Sequence, residues 1–276
     1  MRSRYVLLGL PVGHSPAPAM YGAAFSALGV DADYTTTSVT DLELSGAMRR
    51  IAERGGGNIT LPHKRRAAAL LDVCTPSVDR SGACNCFWRD RDGSLVGDNT
   101  DIAGFLRSVR RLLKDAGSRL EGSRTLVLGA GGAARAVLVG LDEAGASVAE
   151  ILNRTRLGAD RMRDELQLQG LQARVLRSRE EVTGRYDLVI NATSLGLQAS
   201  DALPLDLSCL ETTVAFDCVY GRDGTAWTRH ARGLGWTAGD GLDMLVEQAR
   251  ASVLDWLGAK PPAGPMREAA LAALAR

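Results

Sequence analysis

An excess of charge of either sign is the first thing the chain lacks: 33 Lys and Arg stand against 32 Asp and Glu, a formal +1 over 276 residues. Without surplus cations to neutralise phosphates, nucleic acid is excluded as a main partner, while a local anion pocket is still allowed. Cysteine is sparse as well. The five cysteines are an odd number with no Cys-x-x-Cys among them. Cys84 and Cys86 form a Cys-x-Cys that on a strand would point both thiols to one face. A metal centre would need further ligands, and the three histidines, His14, His63 and His230, are scattered. No metal is expected, and reduced thiols are the reading. No apolar run approaches membrane-spanning length. Met1-Arg2-Ser3-Arg4 leads straight into a strand-like segment at 5–8 without the long apolar core of a signal peptide. A soluble, cytoplasmic protein is expected. Internal repeats and low-complexity stretches are missing too, apart from an alanine-rich stretch at the C-terminus.

What is present is an alternation of short apolar strands and amphipathic helices, the pattern of an α/β protein. Hydrophobic residues make up 45% of the chain, ample for packed cores. Strands are predicted at 5–8, 34–39 and 57–60 and helices at 16–28 and 42–53. From Ile102 a helix is predicted in which Phe105, Leu106, Val109, Leu112 and Leu113 share one face. A second α/β series follows, with strands at 124–128, 148–152, 186–192 and 214–217 and a helix at 133–144. The last helix carries Leu242, Leu245, Val246, Ala249, Val253 and Leu257 on its apolar side. Two domains with a cleft between them are expected. One covers residues 1–102, with helices of 239–276 returning to it, and a Rossmann-like domain covers 103–238.

Chemistry concentrates in five segments. Lys64 ends the motif Gly57-Asn58-Ile59-Thr60-Leu61-Pro62-His63-Lys64, and Asp101 ends Gly97-Asp98-Asn99-Thr100-Asp101. Gly82-Ala83-Cys84-Asn85-Cys86 lies between them. Soon after comes Gly129-Ala130-Gly131-Gly132-Ala133-Ala134, a Gly-x-Gly-x-x-Ala loop between a strand and a helix. Gly129 permits the tight turn, Gly131 lets the backbone approach a pyrophosphate, and the helix N-terminus supplies free N–H groups. Asn153-Arg154-Thr155-Arg156 follows the next strand, where an NAD site would place a carboxylate. Two guanidiniums and a hydroxyl suit a 2′-phosphate, so NADP is favoured over NAD; the plainer alternative is a solvated arginine-rich loop. An ammonium and a carboxylate beside a nicotinamide point to proton transfer coupled to hydride transfer, the work of a carbonyl–alcohol oxidoreductase.

Taken in order along nearly the whole chain, these segments resemble the shikimate dehydrogenase family. The match includes Gly9-Leu10-Pro11-Val12-Gly13-His14-Ser15, Asn191-Ala192-Thr193-Ser194-Leu195-Gly196, Asp217-Cys218-Val219-Tyr220 and 239–248. The resemblance implies reversible reduction of the C3 ketone of 3-dehydroshikimate by NADPH, a step of aromatic amino acid biosynthesis, with Lys64 and Asp101 as the catalytic pair. It further implies that Ser15, Thr60, Lys64, Asn85, Asp101, Tyr220 and Gln248 bind the substrate. Gly129, Ala130, Gly131, Gly132, Ala133, Asn153, Arg154, Thr155, Arg156, Thr193, Ser194, Cys218 and Gly241 would bind NADP. A monomer or homodimer acting on a small ring acid is expected.

The chain also departs from the family. Ala17 stands where a second hydroxyl would join Ser15 on the substrate carboxylate, a change worth about 1.5–3 kcal/mol. Tyr21 replaces a common histidine, Cys86 a usual threonine, Asp243 a glycine, and Gly158 an arginine for the 2′-phosphate that Arg156 can replace. Three alternatives follow: a paralogue acting on quinate, aminoshikimate or another ring acid, possibly with NAD; a non-catalytic NADP-binding protein; and a dehydrogenase of similar architecture for tetrahydrofolates. The catalytic pair speaks against the second, and the motifs ending in Lys64 and Asp101 speak against the third.

Overall fold

The alternating pattern folds into two units in the computed structural model, which describes residues 2–13, 15–198 and 200–275. His14 of the first motif lies outside the described residues. Unit 1 is Met1–Gly104 with Val246–Arg276, and unit 2 is Phe105–Leu245.

Unit 1 is built from β1 (Ser3–Gly9), α1 (Ala17–Leu28), β2 (Ala32–Ser38), α2 (Asp41–Ala52), β3 (Gly55–Ile59), α3 (Lys64–Ala68), β4 (Val73–Cys74), α4 (Pro76–Ser81), β5 (Cys86–Arg89), β6 (Leu95–Asp98) and the start of α5 (Asp101–Asp115). The sheet order is β2-β1-β3-β5-β6-β4. β1 runs parallel to β2 and β3, whereas β5 is antiparallel to both β3 and β6. Val6, Leu8, Ile59, Phe87 and Leu95 of the sheet bury against Leu44 and Met48 of α2. Each such fully buried side chain contributes about 1.5–3 kcal/mol relative to exposure. α2 starts where it does because Thr40 and Glu43 cap each other: the Thr40 N–H and hydroxyl donate to the Glu43 carboxylate at 2.8 and 2.7 Å.

Unit 2 continues with β7 (Arg124–Leu128), α6 (Gly132–Glu143), β8 (Val148–Leu152), α7 (Arg156–Glu165), β9 (Gln172–Val175), β10 (Leu188–Asn191), β11 (Val214–Asp217), α8 (Ala226–Gly233) and β12 (Thr237–Gly239). All five pairings are parallel, in the order β12-β11-β10-β7-β8-β9. The chain winds outward from β7 through β8 to β9, then returns to β10 on the other side. The strand order therefore reverses between β7 and β10, the place where open parallel sheets bind ligands beyond their C-terminal ends. This is the Rossmann-like arrangement the sequence leads one to expect. α9 (Leu242–Leu257) and α10 (Ala263–Ala273) complete the chain, and α9 enters unit 1 at Val246.

Besides short elements without a sequence expectation, such as β4, β9 and α7, two features go beyond the sequence reading. β5 and β6 form an antiparallel hairpin inside unit 1, and the alanine-rich C-terminal stretch is a helix, α10, that packs on α1 with Met266 and Ala270 fully buried.

Candidate active site

Lys64 is placed by the chain that leaves β3. The Thr60 N–H donates to the Leu8 carbonyl at 2.8 Å and the Leu10 N–H to the Leu61 carbonyl at 2.9 Å, tying this segment to the end of β1. His63, 1% exposed, is held between the Asp41 carboxylate and the Val39 carbonyl, both at 2.8 Å. Lys64 then opens α3, and its carbonyl accepts the Cys84 N–H at 2.9 Å. Asp101 is brought up by the end of β6 and the start of α5. Their side chains meet with Nζ donating to Oδ2 at 2.5 Å, and they are only 17% and 8% exposed. Solvent screening is correspondingly weak, so the pair is more strongly coupled than a surface ion pair worth about 0–1 kcal/mol.

Asn85 fixes the other carboxylate oxygen. Its Nδ2 donates to Asp101 Oδ1 at 2.8 Å and to Gln248 Oε1 at 3.3 Å, while its Oδ1 accepts the Thr100 N–H at 2.8 Å. Lys64, Asp101, Asn85 and Gln248 therefore form one hydrogen-bonded group within unit 1. Thr60 follows directly on β3, and Ser15 precedes α1. The Ser15 hydroxyl oxygen accepts the Ala17 N–H at 3.2 Å, and the Ala17 methyl is buried. Tyr21 offers no exposed phenol. It is 1% exposed and stacked on Tyr34 at 4.0 Å, with its hydroxyl beside Asn58 and Ser252 but outside hydrogen-bond geometry. Tyr220, the remaining substrate candidate, belongs to unit 2.

In unit 2 the glycine loop leaves β7 at the switch point. Gly129 has φ +107°, and a Cβ there would lie 2.8 Å from the Ala192 carbonyl oxygen, so only glycine serves. The first turn of α6, with Ala133, has Gly131 at its N-cap and no side-chain cap, which leaves backbone N–H groups for a phosphate. A Cβ on Gly131 would meet nothing within 4 Å, so the loop is open on that side. Ala130 and Gly132 flank it. These residues fit a dinucleotide pyrophosphate.

Asn153, Arg154, Thr155 and Arg156 follow β8. Arg154, Thr155 and Arg156 are exposed, and Asn153 Nδ2 donates to the Thr155 carbonyl at 2.9 Å. Arg156 pairs with Asp160 at 3.3 Å, an i,i+4 contact worth about 0.3–0.5 kcal/mol, too little to withhold it from a phosphate. At Gly158 a Cβ would approach the Thr155 hydroxyl to 2.9 Å.

Two buried polar residues, given no role from the sequence, shape the rest of this end of the sheet. Asn191 at the end of β10 accepts the Thr193 hydroxyl at 2.7 Å and donates to Asp217 Oδ1 at 2.8 Å. Asp217, at the end of β11, also accepts the Val219 N–H at 3.0 Å and the Thr225 hydroxyl at 2.6 Å. Burial outweighs these hydrogen bonds and pushes its carboxyl up to about 6. Thr193, the exposed Ser194 and the turn from Cys218 to Tyr220 thus hang from one buried Asn–Asp pair. Gly241 abuts this turn: its N–H donates to the Val219 carbonyl at 3.0 Å, and a Cβ would fall 2.2 Å from the Cys218 carbonyl oxygen.

The Cys84 and Cys86 thiols are both fully buried, and burial raises both. The described residues contain no cluster of three or more His, Cys, Asp or Glu that could hold a metal ion, and no helix long and apolar enough to cross a membrane. Asn58, Thr100 and Ser252, which lock β3, α5 and α9 together, are further contributors without a role in the sequence reading. Asn58 Nδ2 donates to Ser252 Oγ at 2.9 Å, and Thr100 and Ser252 hydroxyls lie 3.2 Å apart. Their signal was a polar i, i+4, i+7 stripe, Gln248, Ser252 and Asp255, in a helix that is otherwise largely apolar.

A parallel sheet with an open glycine loop at its switch point, accompanied by a unit that presents a half-buried ammonium on a carboxylate, is the build of a dinucleotide-dependent oxidoreductase. Comparison with known proteins narrows this. Residues 7–87 match the shikimate dehydrogenase substrate binding domain, residues 111–198 match shikimate / quinate 5-dehydrogenase, and residues 241–271 match the shikimate 5′-dehydrogenase C-terminal domain. The chain belongs to the shikimate dehydrogenase family. It is 42% identical to shikimate dehydrogenase (NADP(+)) of Rubrobacter xylanophilus over 95% of this chain and 93% of that protein. It also matches the structure of shikimate 5-dehydrogenase of Thermus thermophilus in complex with NADP(H) and shikimate, with TM-score 0.82 and 34% identity, covering 99% of this chain and 100% of that one. The ligand-free 5-ketofructose reductase of a Gluconobacter species is similar as well, with TM-score 0.80 and 31% identity over 98% of each chain.

Proposed function

We propose that this protein is an NADP-dependent shikimate dehydrogenase that reversibly reduces 3-dehydroshikimate to shikimate, with Lys64 and Asp101 managing the proton. The observation that carries the reading is the Lys64–Asp101–Asn85 group inside a chain of this family. NADPH supplies the hydride. Lys64 Nζ has three protons and gives one to Asp101, leaving two to meet the C3 oxygen. As that oxygen gains negative charge, the ammonium stabilises it and transfers a proton, which solvent can replace because the side chain is 17% exposed. Asp101 keeps the ammonium in place, and each of its oxygens has a lone pair left for a substrate hydroxyl. Ser15, Thr60, Asn85 and Gln248 supply short or planar polar groups for the ring hydroxyls and carboxylate, and Tyr220 is the further substrate candidate on unit 2. The α6 N-terminus takes the pyrophosphate, Arg154, Thr155 and Arg156 take the 2′-phosphate, and Thr193, Ser194, Cys218 and Gly241 line the nicotinamide. The setting is cytoplasmic.

The test separates chemistry from binding. Lys64→Ala is expected to lower kcat for shikimate oxidation by about two to four orders of magnitude while leaving the Kd for NADP+, read by calorimetry, unchanged. Near-normal turnover would remove Lys64 from the mechanism.

A second reading, a paralogue for another ring acid or polyol, draws on one structural fact and one likeness. Only Ser15 offers a hydroxyl where Ala17 buries a methyl, and a relative of the same fold is a 5-ketofructose reductase.

A further inference from the structure

α9 is amphipathic in an unusual sense, because the face it buries is partly polar. Gln248 and Ser252 are 9% and 0% exposed and bond to Asn85, Thr100 and Asn58. Asp255 continues the same stripe, and among the described residues its buried Oδ2 has no partner in hydrogen-bond geometry, the Cys86 thiol being the donor beside this carboxylate. Its neighbours on β5 and β6 are Cys86 and Asp98, which stand directly opposite each other in the antiparallel ladder. Asp98 Oδ1 is already occupied by the Thr75 hydroxyl at 2.5 Å and by the Ser77 hydroxyl. Two carboxylates facing each other in a half-buried position repel when both are ionised, and a proton held between them converts repulsion into a hydrogen bond.

We propose that Asp255 and Asp98 share one proton, and that this proton clamps α9 onto β6 and so holds Gln248 on Asn85 and Thr100. Asp255 is then a positioning residue, acting through Gln248 and Asn85, the latter bound to Asp101. The backbone completes the link: the Asn85 N–H donates to the Asp98 carbonyl at 3.0 Å, and Asp98 is three residues before Asp101 on the same segment. The titratable groups around the clamp are few. β5 brings Cys86, whose thiol is itself raised by burial and then by Asp255. β1 and α1 bring Tyr5 and Tyr21, both facing Cys86 and both raised chiefly by burial. α4 brings Ser77, with Arg80 one turn beyond it and Asp79 exposed toward Cys74.

The direction of the pH effect follows. Burial first, then the Asp98 carboxylate, raise Asp255 from 3.8 to about 7. The fold keeps this proton where the unfolded chain has lost it, so the stabilisation is full at acid pH and is lost as pH rises through 7.

The inference rests on the proposed function only in its kinetic arm. Unfolding temperature, measured without substrate from pH 6 to 8.5, should fall with rising pH in the native chain and lose most of that slope in Asp255→Asn. The amide is neutral throughout and can still donate to Asp98. Over the same range the KM for shikimate should rise at least about threefold in the native chain and stay flat in the variant. An unchanged pH slope of unfolding in Asp255→Asn would overturn the shared proton, whatever the substrate proves to be. A lost unfolding slope with an unchanged KM profile would overturn the link to Gln248. Should Asp255→Asn not fold, Asp98→Asn leaves Asp255 buried but without its carboxylate neighbour, so the pH at which the unfolding temperature falls should move down; an unmoved midpoint would overturn the shared proton.

Discussion

Lys64 and Asp101 are immobilised by other residues, as the acid–base role proposed for them requires. One oxygen of Asp101 is held by Lys64, the other by Asn85, and His63 pins the turn that delivers Lys64. The family was legible in the sequence, since the type, spacing and order of its motifs identify it, and Lys64, Asp101, Asn85 and Gln248 are found in one hydrogen-bonded group. The Asp98–Asp255 contact was not. A single acidic residue on a helix reads as a solvated one, and only the tertiary fold brings it against a second carboxylate. Ala17 is where the residue scale gives its sharpest kinetic expectation. Ala17→Ser restores a hydroxyl next to Ser15, and a hydrogen bond to a carboxylate is worth about 1.5–3 kcal/mol, so the KM for shikimate should fall roughly tenfold or more. A KM unchanged in steady-state assays would mean that position 17, buried at the start of α1, does not reach the carboxylate.

At the scale of elements, buried parallel strands were read well and the antiparallel hairpin poorly. β7, β8 and β11 fall on the predicted residues because each has a buried, mainly apolar centre in a parallel sheet. β5 and β6 have four residues each, too few for alternation to register, and the turn at 90–94 carries the only local hairpin signal. α10 was hidden by composition. Its inward face is made of alanines and one large residue, Met266, so it lacks the bulky stripe by which a docking helix is recognised, although alanine itself favours helix. That packing makes α10 structural. Met266 is fully buried against unit 1, and Met266→Ala should lower the unfolding free energy by about 2–5 kcal/mol, read from the urea midpoint at constant m. A loss within experimental error would show that α10 is dispensable.

For the whole molecule, the division of labour follows from the two units. Unit 1 gathers the Lys64–Asp101 ion pair and the polar groups bonded to it; unit 2 offers an open glycine loop, exposed arginines and a buried Asn–Asp pair at the switch point of a parallel sheet. Family membership ties these to shikimate and NADP chemistry, and in the function proposed above the departures at Ala17, Tyr21 and Gly158 fall on recognition while Lys64 and Asp101 are both kept. The most direct measurement is kcat/KM for oxidation of shikimate and of quinate, each with NADP+ and with NAD+. The account predicts that shikimate with NADP+ exceeds every other combination by at least about tenfold, the equivalent of one 1.4 kcal/mol contact. Faster turnover of quinate, or equal use of both cofactors, would contradict it.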